Sequence, residues 1–381
     1  MLRRLGESLL RDSARASSEH AALPGLCRRL RSLPAPLRAA AIDGDPSFHR
    51  YSFGAFLVEE SCLLAERDVA EARRLAALAV AVSERVREAD YGAFLVLDLQ
   101  ARAWAAVAAV SLGACELAAA AEALSRCEAL LGDADGDDLE LARVLELKAA
   151  LRREQQRFRQ AHGLIDDAIS LYHRYRDPGR IGGGLLAKAE IHIVEGDLEA
   201  AVRALRRGLS LIEVERDPER WLGGRCRLVG CLADVGRTEE AWFLLEALRD
   251  RVRGGSSQVG LQFSWSEGKV CRAQGRVEEA KRCLIAARDG YVESQRWGPA
   301  VAVCLDLAGL FAECGQLSEM RDVARAILPL ARSRALPRQA LAATLILEKA
   351  GRVESLSGEL LAVFGRRRPG RRPLVPATSS P

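Results

Sequence analysis

The sequence predicts an all-α chain in which antiparallel helix hairpins stack into a solenoid. Three observations predict it: a repeat period near 40 residues, an abundance of helix-forming residues and a recurring turn signature. The signature is a glycine followed five residues later by an alanine. It occurs, with three variants, at Arg67/Ala72, Gly113/Ala118, Gln156/Ala161, Gly196/Ala201, Gly236/Ala241, Gly275/Ala280 and Gly315/Met320. Self-similarity at this period is typical of stacked supersecondary units and not of a domain with one central pocket.

The composition supports helices and limits the partners. Hydrophobic residues make up 49% of the 381-residue chain but aromatic residues only 5%, so alanine and leucine do most of the packing. The net charge is +4, yet residues 1–40 and 366–381 each carry +5, which leaves −6 for the body between them. Because phosphate neutralisation needs clustered lysine and arginine, we expect the body not to bind nucleic acid.

The cysteines and the hydropathy pattern indicate the compartment. The ten cysteines contain no CxxC pair, and most lie in apolar helical sequence, where a free thiol packs as a small hydrophobic group. No hydrophobic run reaches membrane-spanning length, and the N-terminus lacks the features of a secretory signal. We therefore expect reduced thiols, a cytoplasmic location and no membrane contact.

The chain divides into three segments. Residues 1–46 are predicted to be a basic lead-in with short helices, because four prolines, the first of them Pro24, interrupt it. Residues 47–364 hold the helical repeat array, with about seven hairpins and a shortened capping hairpin over 337–364. Residues 365–381 are an Arg/Pro-rich tail that we expect to be disordered.

Prolines and glycines mark the junctions of the regular repeats. Asp177-Pro178 and Asp217-Pro218 lie 40 residues apart, and each is expected to end a second helix. The run Gly182-Gly183-Gly184 lacks the following Lys-Ser/Thr and the preceding strand of a phosphate-binding loop, so a close approach between helices is its expected role. The acidic run 132–138 lacks the glycine and the glutamate that an EF-hand calcium loop needs.

With these features the chain resembles the tetratricopeptide-repeat superfamily, in its longer-helix bacterial form. The resemblance covers roughly residues 50–360 and rests on the turn signature together with a small residue seven positions before the turn glycine. That small position holds Ala106, Ala149, Ala189, Val229, Gly268 and Ala308, while Glu60 departs from the pattern in the first repeat. The resemblance implies a right-handed superhelix whose concave face binds peptides or partner proteins. HEAT-type repeats share the period and remain the alternative.

The resemblance also implies where a ligand binds. In this superfamily the concave face is lined by first-helix positions three, six, nine and ten residues before the turn glycine. Those offsets select Arg153, Glu190, Arg227, Trp265, Lys269 and Arg272. They combine positive charge with an aromatic anchor, so we expect a groove for an acidic or C-terminal peptide segment; ordinary solvated side chains are the alternative. The chaperone-tail clamp of some members needs asparagine, which this chain lacks.

Catalytic and metal-binding residues are not expected. The five histidines show neither an HExxH motif nor paired metal spacing, and no nucleophile motif accompanies them, so we predict no enzyme activity and no cofactor. His192 is expected to be a satisfied packing residue. Weak contact with nucleic acid is predicted only for the tail arginines Arg366, Arg367, Arg368, Arg371 and Arg372.

The predicted function is a cytoplasmic scaffold that binds a protein or a peptide. The alternative is a ligand-sensing domain that acts in transcription control or signalling through a partner chain. The resemblance implies it, because several bacterial transcription regulators use tetratricopeptide arrays as ligand-sensing domains.

Overall fold

The computed structural model describes residues 2–65, 67–132, 138–253, 257–333 and 343–348. Within these ranges every regular element is a helix, so the all-α prediction is confirmed. The first helices along the chain are α1 (Leu2–Ser32), α2 (Arg38–Gly44), α3 (Tyr51–Leu64), α4 (Val69–Ser83), α5 (Glu88–Tyr91), α6 (Ala93–Gly113), α7 (Leu117–Gly132), α8 (Asp138–Glu154) and α9 (Phe158–Arg174). They are followed by α10 (Pro178–Glu195), α11 (Leu198–Leu209), α12 (Pro218–Asp234), α13 (Thr238–Val252), α14 (Ser257–Ala273), α15 (Val277–Glu293), α16 (Trp297–Glu313) and α17 (Leu317–Ser333).

The helices from α3 to α17 pair into seven hairpins. The pairs are α3/α4, α6/α7, α8/α9, α10/α11, α12/α13, α14/α15 and α16/α17. Residues 343–348 are helical as well. The remainder of the predicted capping hairpin, the central part of the acidic run and the whole Arg/Pro-rich tail lie outside the described residues.

The turn signature is structural at the hairpin corners. Gly196, Gly236, Gly275 and Gly315 have φ angles between +70° and +99°, in the left-handed region that glycine adopts without strain. The residue five positions later is buried in its hairpin in every case; it is an alanine after the first three glycines and Met320 after Gly315. The glycine therefore sets the direction of the chain, and the alanine lets the two helices meet.

The second hairpin turns at Cys115, two residues later than predicted. Cys115 has a φ angle of +59°, whereas Gly113 still belongs to α6. The completely buried alanine of this hairpin is accordingly Ala120, and Ala118 is exposed. The prediction at Gly113 is wrong because a glycine also fits the last turn of a helix, so that glycine alone does not identify the corner.

The two Asp-Pro pairs begin first helices, whereas they were predicted to end second helices. The Asp177 carboxylate accepts a hydrogen bond from the backbone N–H of Arg180 over 3.0 Å, and Asp217 does the same for Arg220 over 3.2 Å. In both cases the proline follows at the start of the helix, where its missing N–H is not needed. These aspartates are N-caps of α10 and α12.

Helix α1 is continuous over Leu2–Ser32 with Pro24 inside it, so the prediction of short, proline-interrupted helices is wrong for this part of the chain. Leu26 and Leu30 of α1 are buried in the same apolar core as Phe48. Tertiary packing of this kind outweighs the helical hydrogen bond that proline removes. The basic lead-in is therefore packed against the first hairpin of the array.

Helix α6 is long and apolar enough to cross a membrane by length and composition, so the prediction that no run reaches this length is wrong. In the array α6 contacts α3, α4, α7 and α8, and 44% of its most apolar window is buried. An alanine-rich core helix passes the same test as a membrane span, so a single helix of this kind is weak evidence for a membrane.

Candidate binding groove on the inner face

The first helices of the hairpins, α6, α8, α10, α12, α14 and α16, form a continuous surface. Each of them contacts the next first helix, whereas the second helices pack mainly against first helices. This closer spacing makes the first-helix side the inner, concave side of the array. Residues three, four or seven apart on one helix share a face, so a few positions from each helix line the groove.

All six residues predicted from the family offsets lie on these first helices, and the structure brings most of them into contact across helices. Arg227 Nε lies 2.7 Å from Glu190 Oε1 and so joins α12 to α10. Lys269 Nζ lies 2.6 Å from Asp234 Oδ2 and joins α14 to α12. Together with the carboxylates that pair with them, these residues form what we call the charge-paired stripe: Arg153, Glu190, Arg227, Trp265, Lys269 and Arg272.

Lys269 lies at the centre of the charge-paired stripe. Its Nζ is also 3.6 Å from Asp306 Oδ2 and 5.3 Å from the centre of the Trp265 ring, whose Nε1–H donates to Asp306 Oδ2 over 2.7 Å. Burial opposes the charge on Lys269, but Asp306 and Asp234 together raise its pKa, so the ammonium group stays protonated. Burial also raises the pKa of Asp234, although Lys269 opposes that shift.

The basic residues at the two ends of the stripe also pair with carboxylates. Arg272 forms two hydrogen bonds with the Glu313 carboxylate, one of them from Nε to Oε2 over 3.0 Å. Arg153 Nη2 donates to Glu154 Oε1 over 2.8 Å. Every predicted basic residue therefore has a carboxylate partner, and the expectation of a positively charged surface is wrong for this stripe. The four basic side chains face Glu154, Glu190, Asp234, Asp306 and Glu313.

A sequence signal exists for three of these carboxylates. Glu154, Asp234 and Glu313 each precede the corner residue of their hairpin by two positions. That offset is outside the set that the family resemblance implies. The choice of partner also depends on how neighbouring hairpins stack, which the repeat pattern alone does not define.

A second group on the same face was not predicted. Arg102, Arg143, Arg180 and Arg220, here called the arginine row, come one each from α6, α8, α10 and α12. They line two adjoining hollows with volumes of about 250 Å³ and 380 Å³, which share Arg143 and Arg180. On α12 the row and the stripe are seven residues apart, so they lie on the same helix face about 10 Å from each other. The row precedes the corners by thirteen or sixteen residues, beyond the offsets used for prediction.

Each arginine of the row has an acidic partner on its own helix or at its helix end, whereas most pairs of the stripe join different helices. Arg102 Nη1 lies 3.8 Å from Asp98 Oδ2, and Arg143 Nη1 lies 3.8 Å from Glu140 Oε1. Arg180 Nε lies 3.3 Å from Asp177 Oδ2 and Arg220 Nε lies 3.2 Å from Asp217 Oδ2, each within one helix end. The pairs of Arg180 and Arg220 are about half exposed and therefore weak. A guanidinium group has five N–H donors, so these two arginines keep donors for a ligand. Gly183 keeps the hollow open, because a Cβ there would lie 3.2 Å from Arg220 Nη1.

The larger hollow also contains a carboxyl group, Glu146, beside Tyr172. Burial raises the pKa of Glu146, while the charge of Arg220 and a hydrogen bond with Tyr172 oppose the shift. The hollow thus combines arginine donors with a partly buried acid. This arrangement can bind a group that has both a carboxylate and a hydrogen-bond donor, as the backbone and termini of a peptide do.

Comparison with known proteins concerns the fold. No protein-family model matches the chain, and no curated protein sequence matches it. A solved structure of a Rap protein complexed with competence and sporulation factor is 12% identical, with a TM-score of 0.61 over 84% of this chain and 81% of that one. The Rap conjugation gene regulator of the plasmid pLS20, in complex with the Phr* peptide, is 13% identical, with a TM-score of 0.57 over 84% and 77%. Aspartyl phosphate phosphatase F from Bacillus subtilis is 12% identical, with a TM-score of 0.55 over 76% and 71%.

These likenesses define the class of fold. The chain is an all-α helical repeat array with a fold like that of these Rap structures, as the turn signature predicted. At 12–13% identity the likeness extends to the architecture and not to individual binding residues.

Proposed function

We propose that the chain binds a peptide, or an extended segment of a partner protein, along the inner face between α6 and α16. The observation that carries the proposal is the arginine row over two adjoining hollows on that face. The fold likeness supports it, because the pLS20 regulator was solved with the Phr* peptide and the other Rap protein with competence and sporulation factor.

The arginine row and the charge-paired stripe suit different parts of such a ligand. Guanidinium groups bind carboxylates through two parallel hydrogen bonds, so the row is proposed to hold acidic side chains or a C-terminal carboxylate. The stripe already balances its own charges and is proposed to contact the ligand mainly through Trp265, an aromatic anchor. The ligand class expected from the sequence is kept, but its main contact moves to the arginine row.

The test uses peptides selected from a random display library on the intact chain and titrated by fluorescence anisotropy. Arg143, like Arg180, lines both hollows, so Arg143→Glu changes both. This variant should bind the peptide at least about tenfold more weakly, equivalent to about 1.4 kcal/mol. Arg207→Glu is the matched control, because Arg207 is exposed on the second helix α11. Equal affinities for the two variants would contradict the proposal.

A further variant separates the two parts of the inner face. Arg227→Glu disturbs the charge-paired stripe by placing a second carboxylate beside Glu190. If the arginine row makes the main contact, Arg143→Glu weakens binding more than Arg227→Glu does. The affinity of a peptide with two acidic residues should also fall as salt rises, because screening acts on exposed charges.

A regulatory role is the second proposal. It is supported by the name of one similar structure, a conjugation gene regulator. In this role the peptide changes the affinity for a partner chain, and the partner changes the affinity for the peptide by the same factor, which two titrations measure. No coupling between them would leave a scaffold that binds without regulating.

The proposal has four further parts. We propose binding without enzyme activity, no membrane contact, and weak nucleic-acid contact only through the tail arginines. A cytoplasmic location is proposed because all ten cysteines are free, as in a reducing compartment. Phosphate release from acetyl phosphate, a small acyl phosphate, is the assay for the activity that the name of the Bacillus subtilis structure suggests.

A further inference from the structure

His162 of α9 and His192 of α10 meet with Glu195 at the junction of two hairpins. The two imidazole rings have their centres 4.5 Å apart and are tilted by 42°. His162 Nε2 lies 3.0 Å from Glu195 Oε2, and His192 Nδ1 lies 3.8 Å from the same oxygen. One potential ligand atom from each residue lies within 4.8 Å of the other two.

His192 Nδ1 is buried and has no hydrogen-bond partner within the part of the chain that the structure describes. The prediction that His192 is a satisfied packing residue is therefore wrong. A buried polar atom without a partner is uncommon in a folded protein, and a bound water or ion often accounts for it. The nearby Asp197 does not supply the partner, because its carboxylate caps α11 by accepting from the backbone N–H of Ala200 over 3.0 Å.

We propose that His162, His192 and Glu195 bind a divalent transition-metal ion of the Zn²⁺ class. Two imidazole nitrogens and one carboxylate oxygen are a ligand set that Zn²⁺ accepts. Tetrahedral Zn²⁺ with bonds of about 2.0–2.1 Å separates its ligand atoms by about 3.3 Å. The two distances to Glu195 Oε2, 3.0 and 3.8 Å, lie on either side of that value, and the ligand atoms of the two histidines lie within 4.8 Å of each other.

The three proposed ligands come from two neighbouring hairpins. His162 belongs to the hairpin α8/α9, whereas His192 and Glu195 belong to the first helix of the next hairpin. A bound ion would therefore join two neighbouring repeats, and the stability of a solenoid depends on such nearest-neighbour interfaces. The Glu195 side chain is 40% exposed, so water has access to the fourth coordination position. The inference is independent of peptide binding on the inner face.

Isothermal titration calorimetry of the intact chain with ZnCl₂ tests the proposal. We expect one Zn²⁺ per chain at this site, and we expect His162→Ala and Glu195→Gln each to raise the Kd at least about tenfold. His173→Ala is the matched control, because His173 is an exposed histidine on the same helix, and it should bind as the wild type does. Circular dichroism establishes that each variant is folded, and Glu195→Gln is the milder change of the two.

Two further readouts separate this site from metal bound by cysteine. Co²⁺ in the wild-type chain should give the visible absorption of a tetrahedral nitrogen and oxygen site, without a sulfur-to-metal charge-transfer band, and Glu195→Gln should reduce it. Zn²⁺ should raise the Tm of the wild type and of His173→Ala but not that of His162→Ala, because a ligand stabilises the state that binds it. The absence of stoichiometric Zn²⁺ binding, or equal binding by all four proteins, would overturn the proposal.

Discussion

Replacing Gly182 by alanine is predicted to destabilise the array, whereas the same change at Gly183 is predicted to stabilise it. Both residues lie inside α10, where alanine is favoured over glycine by about 0.8–1.0 kcal/mol. At Gly182 the new Cβ would meet the carbonyl oxygen of Gly208 at 2.8 Å and Ile212 Cγ1 at 2.7 Å. Overpacking costs about 1–3 kcal/mol, and the upper part of this range applies because one contact is backbone. The expected net loss is about 1–2 kcal/mol.

At Gly183 the surroundings are different. The nearest atom to a new Cβ is Arg220 Nη1 at 3.2 Å, the end of a flexible side chain that moves at little cost. A gain of up to about 1 kcal/mol is expected there, so the two variants should differ by about 1–3 kcal/mol in their free energy of unfolding.

Urea unfolding followed by far-UV circular dichroism measures this difference. Because repeat arrays can unfold in parts, the comparison requires equal m-values for the two variants. A Gly182→Ala variant as stable as Gly183→Ala would contradict the claim that the contact between α10 and α11 leaves no room for a Cβ at position 182. It would mean that helix propensity, and not the contact between α10 and α11, decides which residue fits at position 182.

Three other predictions concern the charge-paired stripe and the thiols. Trp265→Phe removes the N–H that bonds to Asp306 and should lower the free energy of unfolding by about 1–3 kcal/mol in urea titration; an unchanged value would contradict that role. Lys269→Met should be more destabilising at pH 7 than at about pH 4. Burial raises the folded-state pKa of Asp234 above its unfolded value, and without Lys269 the charged carboxylate is buried without its paired cation. The stability that comes from the protonated form of Asp234 is present at low pH and lost as the pH rises. Urea titrations at both pH values measure the difference. Cys314 is the one exposed cysteine of ten, so Ellman's reagent should label one thiol rapidly, and Cys314→Ser should remove that fast phase.

The glycine run 182–184 was predicted to allow a close approach between helices, and this is correct for two of its three residues. The expectation of close helix approach is confirmed at Gly182, and also at Gly184, where a Cβ would lie 2.7 Å from Ile169 Cγ1. Gly183, between them, opens the groove instead. Consecutive residues on a helix point about 100° apart, so a single run of three glycines serves two different surfaces. The sequence alone does not tell which residue faces which surface.

The six residues selected by the family offsets share the inner face, but their neutralisation by carboxylates was not predicted. The family offsets selected six residues that do lie on the first helices, because the offset from the corner sets the helix face. Several of their partners come from other repeats: Arg227 pairs with Glu190 and Lys269 with Asp306, 37 residues apart in both cases. The arginine row was missed because it lies nearer the start of each helix than the offsets reach.

The sequence by itself determined the helices, their pairing into hairpins and the corners at Gly196, Gly236, Gly275 and Gly315. These features depend on local periodicity and on the left-handed backbone that glycine adopts, so each can be read within one repeat. The tertiary structure alone decided which charges neutralise each other, which arginines border open hollows and that His162 meets His192. Such contacts form between repeats, and their geometry depends on how successive hairpins stack, which no single repeat contains.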